Sequence, residues 1–335
     1  MMFPGATWAE GQLSSSVDGA AVTAEMTGQF SDEARYGIAL AMVVIHGGRV
    51  VAERYNQTVG PTTKLISWSM AKSITDALVG MCVGKGLLSV DNPAPISAWR
   101  NDERSSITLQ HLLEMRSGLR WVEDYVDGEV SDVIAMLFGV GKDDHARYAI
   151  ECPLQSEPGS TWVYSSGTTN VVTRILGDVL GDEPGSHDNM TGLLGRLFGT
   201  LGMDAEPRFD AAGTFVGSSY VYASARDFAR FGYLYLRDGV WGDERVLPEG
   251  WVDHARRQHV VDPDSDLGYG SHWWTLPEEP DALVASGYEG QHIIVCPSRD
   301  LVVVRLGKTN AELRPNVLAS LRRLIAAFPA TGVRA

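Results

Sequence analysis

Apolar positions change their spacing twice along this chain, and the changes divide it into three stretches. Near the N-terminus residues 38–45 form an unbroken apolar run, followed by the turn His46-Gly47-Gly48 and a shorter run over 49–53. That pattern predicts a β-hairpin with a buried first strand. In LISWSMAKSITDALVGMCVGKG, residues 65–86, the spacing becomes helical: Ile74, Leu78 and Met81 share one face, and Gly84 and Gly86 mark the end. Helical spacing then dominates to about residue 205. It predicts a short helix over 106–113 with Thr108 as its cap and Ser117-Gly118-Leu119 as its stop, and longer helices over 131–140, 167–180 and 189–201. His111 lies near an apolar face and reads as structural.

The last third mixes both periods. Residues 225–236 predict an aromatic-rich amphipathic helix, and Leu247-Pro248-Glu249-Gly250-Trp251 a proline-led helix start. A strand begins within 268–274, two more cover 291–296 and 301–306 around the turn 297–300, and a final helix covers 313–328. Ala285-Ser286-Gly287-Tyr288-Glu289-Gly290 falls between the first of these strands and the pair, a glycine-rich strand entry whose glycines let the backbone approach a ligand closely. Residues 1–35 show no sustained period and predict an irregular surface lead-in. The whole is an α/β (α+β) pattern, with strand-rich ends bracketing a helical middle. It predicts one unit over 1–335, with a sheet region from 30–82 and 210–335 and a mainly helical region at 83–209.

Composition narrows the class. With 335 residues, 44% hydrophobic and 21% charged, the chain can bury a large core, and neither disorder nor a coiled coil fits. A net charge of −14, from 42 acidic against 28 basic residues, argues against nucleic acid or an anionic membrane as partner. The N-terminus lacks a basic segment followed by a long apolar run, so no secretory signal is expected. Cys82, Cys152 and Cys296 are isolated, which suggests buried thiols and a cytoplasmic location.

Chemistry concentrates at Ser69-Met70-Ala71-Lys72. Three residues apart on a helix, Ser69 and Lys72 share a face and can share a hydrogen bond. A serine in a first turn also lies beside unpaired backbone N–H groups, which favour developing negative charge. The competing reading is a helix cap beside a surface lysine. A second constellation, Pro158-Gly159-Ser160-Thr161-Trp162-Val163-Tyr164-Ser165-Ser166-Gly167, is a turn leading into a helix, of the kind that presents side chains to a cleft. In isolation its tyrosine reads equally well as core. The chain has no H-E-x-x-H, no phosphate-binding glycine loop, no G-x-S-x-G and no metal-ligand histidine spacing.

Together these motifs resemble the serine β-lactamase and penicillin-binding-protein superfamily, in particular its class C-like branch of esterases, D-aminopeptidases and 6-aminohexanoate-dimer hydrolases. Ser69-Met70-Ala71-Lys72 matches S-x-x-K. Tyr164-Ser165-Ser166 matches Y-x-N with serine in place of asparagine. Residues 107–113, Ser117-Gly118-Leu119, Pro158-Gly159, Gly290-Gln291 and 300–307 continue the likeness in order over about 35–328. Lys308-Thr309-Asn310 comes too late to be the third motif, K-T-G. Ala285-Ser286-Gly287 is the better counterpart and lacks the lysine that penicillin-recognising members use to hold the substrate carboxylate.

The resemblance implies a β-lactamase/transpeptidase-like fold, with an antiparallel sheet from both chain ends flanked by helices. It also implies acyl transfer through Ser69, with Lys72 and Tyr164 as base and proton relay. The oxyanion hole would be the backbone N–H groups of Ser69 and Tyr288, with Ser166 and Gly287 in support. No metal or organic cofactor is required. The expected partner is a small-molecule ester or amide, including linear 6-aminohexanoate oligomers, with the oligomeric state left open. The alternatives are β-lactamase or D,D-peptidase activity on penicillin-like or D-amino-acid substrates, and an inactive ligand-binding homologue. Trp162, Tyr269, Trp273 and Tyr288 are candidate cleft walls, and each reads equally well as core.

Overall fold

The computed structural model describes residues 2–125, 131–263 and 265–330. Its centre is an eight-stranded antiparallel sheet. In chain order the strands are β1 (Ile38–His46), β2 (Arg49–Tyr55), β3 (Val260–Val261), β4 (Gly268–Tyr269), β5 (Trp274–Leu276), β6 (Glu279–Gly287), β7 (Gln291–Cys296) and β8 (Leu301–Lys308). In space they run β2-β1-β8-β7-β6-β5-β4-β3, so the N-terminal hairpin is zipped onto the last strand. Val43 lies opposite Val304, which on its other side faces Ile293.

Both faces of the sheet are covered, which is why β1, β7 and β8 are apolar throughout and do not alternate. On one face Val43, Ile45, Ile293, Val295, Val302 and Val304 pack under the helix Ala225–Leu236 and the helical region beyond it. On the other, Met42, Val44, Ile294, Cys296, Leu301 and Val303 meet the helices Gly19–Ser31 and Arg314–Ala326. The helix Ala225–Leu236 lies close on the sheet because Gly232 has no side chain: a Cβ there would sit 2.8 Å from both Ile293 and Val302.

The helical region contains Leu109–Leu113, Asp132–Phe138, His145–Ile150, Ser166–Leu180 and Asp188–Leu201. Thr108 caps the first of these. His111 completes the cap by accepting from the Thr108 N–H, the structural role expected of it.

Three expectations are corrected. Residues 1–35 are not irregular: Gly19–Ser31 is a helix, capped by Asp18 and buried through Val22, Met26 and Gln29. Its many small and polar residues hide a narrow apolar stripe. Ala285-Ser286-Gly287 is the end, not the entry, of a strand: the nine-residue β6, whose polar start at Glu279-Pro280-Asp281 obscured its extent. The helix expected from Leu247 begins only at Trp251, because Gly250 ahead of it sits in the left-handed region at φ 78°. Among the described residues no helix is long and apolar enough to cross a membrane.

Candidate active site

Ser69 stands at the junction of two short elements. Trp68–Met70 is a single 3-10 turn, and the helix Ala71–Gly84 follows directly. Trp68 adopts φ 44°, a left-handed conformation uncommon for a bulky residue, and this sharpens the turn. The turn is anchored below by Ser67. Its hydroxyl donates to the Trp68 and Ser219 carbonyls at 2.9 and 3.1 Å and accepts from the Val221 N–H at 3.1 Å. Met70, Ala71 and Ile74 are fully buried, so the helix cannot roll and carry Ser69 away.

Lys72 lies one turn further along, and only 2% of it is exposed. Its Nζ is 3.0 Å from Ser69 Oγ, 3.0 Å from Ser166 Oγ and 3.1 Å from the Ser218 carbonyl oxygen. Burial pulls its pKa from the ordinary 10.5 down to about 8, partly opposed by the negative charge of Glu123. The Tyr164 ring lies 4.8 Å from the ammonium, and its phenol interacts with Ser69. Burial and the Glu123 charge push the Tyr164 pKa up, so the phenol holds its proton at neutral pH and Lys72 is the more easily deprotonated of the two.

Tyr164 is itself held by rings: it stacks on Trp274 at 5.5 Å and meets Tyr269 edge-on at 6.0 Å. Ser166 is completely buried at the start of its helix, whose cap is the Ser165 hydroxyl accepting from the Thr168 N–H. Ser69, Lys72, Tyr164 and Ser166 are therefore brought together. Gly217 to Ser224 contributes through the Ser218 carbonyl rather than through its hydroxyls.

The edge of β6 closes the site from the other side. A Cβ on Gly287 would lie 2.5 Å from the Ser67 carbonyl and 3.2 Å from the Ser69 nitrogen, so only glycine lets this strand end approach the Ser69 turn. Tyr288 comes next, in a tight turn where Glu289 adopts φ 62°. Arg305 braces that turn from below, donating to the Glu289 and Gly290 carbonyls at 3.1 and 2.9 Å. Trp68 ties the two sides together. Its indole N–H reaches Glu289 at 3.2 Å, and its ring meets that of Tyr288 edge-on at 5.8 Å.

A cavity of about 590 Å³ opens above Ser69, large enough for a drug-sized molecule. Tyr125, Tyr164, Trp274 and Tyr288 supply aromatic walls, and Asp266 and Arg314 supply charge of both signs. Of the four aromatic walls expected, only Tyr288 lines this cavity. Trp273 is fully buried between Phe231, on which it stacks, and Tyr235. The cause is His272: its φ of 53° breaks the strand between β4 and β5 and turns Trp273 inward and Trp274 toward the cleft. Tyr269 is buried beneath Tyr164, and Trp162 packs behind it. Lys308 is exposed at the end of β8, just before Thr309, which donates to the Tyr36 carbonyl; neither lines the cavity.

Glu123 and Arg305 escaped the sequence reading. Glu123 sits in an aperiodic stretch, Trp121-Val122-Glu123-Asp124-Tyr125, with no motif to mark it. Arg305 is the one charge in the apolar run of β8, and that exception was the available signal.

Comparison with known proteins bears on the fold and the family. A 6-aminohexanoate-dimer hydrolase of Paenarthrobacter ureafaciens is 25% identical over 288 residues, 79% of this chain and 71% of its own. Among solved structures, a Bacillus anthracis protein provisionally assigned as a 6-aminohexanoate-dimer hydrolase superposes with a TM-score of 0.76 at 20% identity, covering 98% of this chain and 89% of that one. A class C beta lactamase from Rhodobacter sphaeroides gives 0.65 at 20% identity, covering 91% and 99%. The family model described as Beta-lactamase matches residues 24–328, and the chain belongs to that family.

Proposed function

We propose that this protein is a serine hydrolase that cleaves an ester or small amide through an acyl-enzyme on Ser69. The observation that carries the reading is the 3.0 Å contact between Ser69 Oγ and a buried lysine whose pKa lies near neutrality. A lysine acts as a base only when it spends time neutral, and burial supplies that condition here.

Ser69 Oγ attacks the carbonyl carbon while its proton passes to Lys72 Nζ. The N–H groups of Ser69 and Tyr288 hold the developing oxyanion. Collapse expels the alcohol or amine, which takes the proton back from Lys72 by way of the Tyr164 hydroxyl. Water then attacks the acyl-enzyme, gives its proton to the same relay, and Ser69 is restored. Ser166 keeps the lysine in register.

The preference for esters and small amides over penicillins rests on two absences from the motifs: no lysine at Ala285-Ser286-Gly287 and serine instead of asparagine at Ser166. The 25% identical hydrolase of 6-aminohexanoate dimers makes linear aminohexanoate oligomers a specific substrate to try. Short-chain p-nitrophenyl esters, the linear dimer and a penicillin are offered in turn, with intact mass followed for an adduct. Turnover of ester or dimer that vanishes in Ser69→Ala is the expected result. Turnover of penicillin alone would replace the reading with a β-lactamase one, and neither adduct nor turnover with any of the three would leave a binding protein.

A further inference from the structure

Ser166 stands between two groups, and its single hydrogen can serve only one of them. Its Oγ is 3.0 Å from Lys72 Nζ and 2.5 Å from Glu123 Oε1. A carboxylate offers only acceptors, so the Ser166 hydrogen points to Glu123. The carboxylate cannot turn away, because every neighbour donates to it. The Ser166 N–H at 2.8 Å and the Trp121 indole N–H at 2.6 Å meet Oε2, and the Tyr125 hydroxyl at 3.1 Å meets Oε1.

The consequence falls on Lys72. A neutral amine has two hydrogens and one lone pair, and Nζ has three neighbours. The Ser218 carbonyl can only accept, and Ser166, with its hydrogen committed, can only accept as well. Both amine hydrogens are thereby used, and the lone pair is left facing Ser69 Oγ. Were Ser166 free to rotate, its hydrogen could occupy that lone pair, and Lys72 would donate to Ser69 instead of accepting from it. An asparagine at this position can turn its carbonyl oxygen, which carries no hydrogen, to the lysine and its NH2 elsewhere. Serine needs help to behave that way.

We propose that Glu123 is a positioning residue of the active centre, which holds Ser166 as an obligate acceptor so that the Lys72 lone pair faces Ser69. The proposal rests on the reading of Ser69 as nucleophile. The other charged and titratable groups near Lys72 do not duplicate this role. Asp76, one turn along the same helix, is occupied by Tyr235 and Trp251. His272, within the β4–β5 connection, is engaged with the Leu113 carbonyl and Thr169, and burial keeps it neutral with a pKa of about 3. Tyr164, whose ring lies 4.8 Å from Nζ, engages Ser69 through its phenol, which stays protonated.

The test is Glu123→Gln, measured alone and with Ser166→Asn. The amide must present its NH2 to one pair of donors, and where those are hydroxyls Ser166 is forced to reverse. In the serine background kcat for a p-nitrophenyl ester is expected to fall about 30-fold at little change in KM, less than the roughly 100-fold or more that a general base contributes as a whole. In the Ser166→Asn background, where the side-chain amide supplies its own acceptor, the same substitution is expected to cost less than about threefold. Lysine-labelled NMR follows Lys72 directly, since the chain has only Lys64, Lys72, Lys85, Lys142 and Lys308. Its titration midpoint should fall in Glu123→Gln as a neighbouring negative charge is lost. Equal losses in both backgrounds would reduce Glu123 to a loop anchor, and unchanged kcat would remove it altogether; either overturns the proposal. Absence of turnover by the wild type would instead overturn the hydrolase reading. The Lys72 midpoint keeps the two failures apart: an unmoved value in Glu123→Gln sinks the proposal even where the wild type turns over.

Discussion

Two cations are buried in this molecule within reach of the cleft, and they are solvated in opposite ways. Arg305, fully buried on β8, spends its donors on Gln29 Oε1, Thr309 Oγ1 and the backbone oxygens of Tyr36, Glu289 and Gly290. Four of those five oxygens are carbonyls, three of the backbone and one of an amide. Lys72 meets one carbonyl and two hydroxyls. A carbonyl can only accept, so it fixes a cation in place; a hydroxyl can also donate, so it can take part in passing a proton. Burial lowers both groups, Arg305 to about 10 and Lys72 to about 8, but only the second comes within range of neutral pH. Arg305 is a strut under the Tyr288 turn, and Lys72 is a group able to change state.

The sharpest way to break that contrast is to make Lys72 like Arg305. Lys72→Arg keeps a positive charge but not a releasable proton, and should lower kcat/KM by about 1,000-fold or more. Ester hydrolysis with circular dichroism as a folding control measures it; a loss under tenfold would deny Lys72 the role of base.

Next comes removal of the strut. Arg305→Met takes the arginine donor from the Gly290 carbonyl and from Gln29 Oε1, while the Glu289 carbonyl keeps the Thr309 N–H, and should cost about 3 kcal/mol, the scale for orphaning two buried acceptors. Urea unfolding reads this, and an unchanged midpoint would show that the turn stands without the arginine.

A smaller effect is the pH dependence. Lys72 must be neutral to accept a proton, so kcat/KM should rise with pH through a limb centred near 8. Its folded pKa lies below the unfolded 10.5, so between about 8 and 10.5 the unfolded chain binds the extra proton and stability rises with pH across that window. Lys72→Met should flatten this rise, and a slope that survives the substitution would assign it to another group.

The smallest effect is a null one. Lys308, exposed at the end of β8, resembles the lysine of a third motif by sequence alone. Lys308→Ala should leave stability within about 0.5 kcal/mol and kcat/KM within about twofold. A tenfold loss would reinstate it.

How far the sequence was legible follows from the kind of signal each element carries. The apolar runs of β1, β7 and β8 and the helical spacing after Ser69 announce themselves, because burial on one or two faces leaves a period. The set Ser69, Lys72 and Tyr164 was legible only as motifs in order, and Ser166 as a departure from one of them. Glu123 was not, because its role arises from four donors that converge in space and leave no period in the chain. The wrong choice of Trp273 over Trp274 has a simpler origin: one residue in the left-handed region, His272, inverts which of two adjacent rings faces the cleft.

The pairing of β1 with β8 has a consequence for how the protein is made. Ile38 lies against Lys308, and Ala39 against Gly307, so the first strand waits for almost the last one. On a ribosome, the hairpin of β1 and β2 emerges long before its partner exists and must remain soluble with one edge open. Contacts this distant in sequence slow folding and lengthen exposure to aggregation. They also delay competence, since Gly287 and Tyr288 reach the Ser69 turn only when β6 and its neighbours have been synthesised. A nascent chain therefore carries its serine and lysine through most of translation without the strand edge that completes the site.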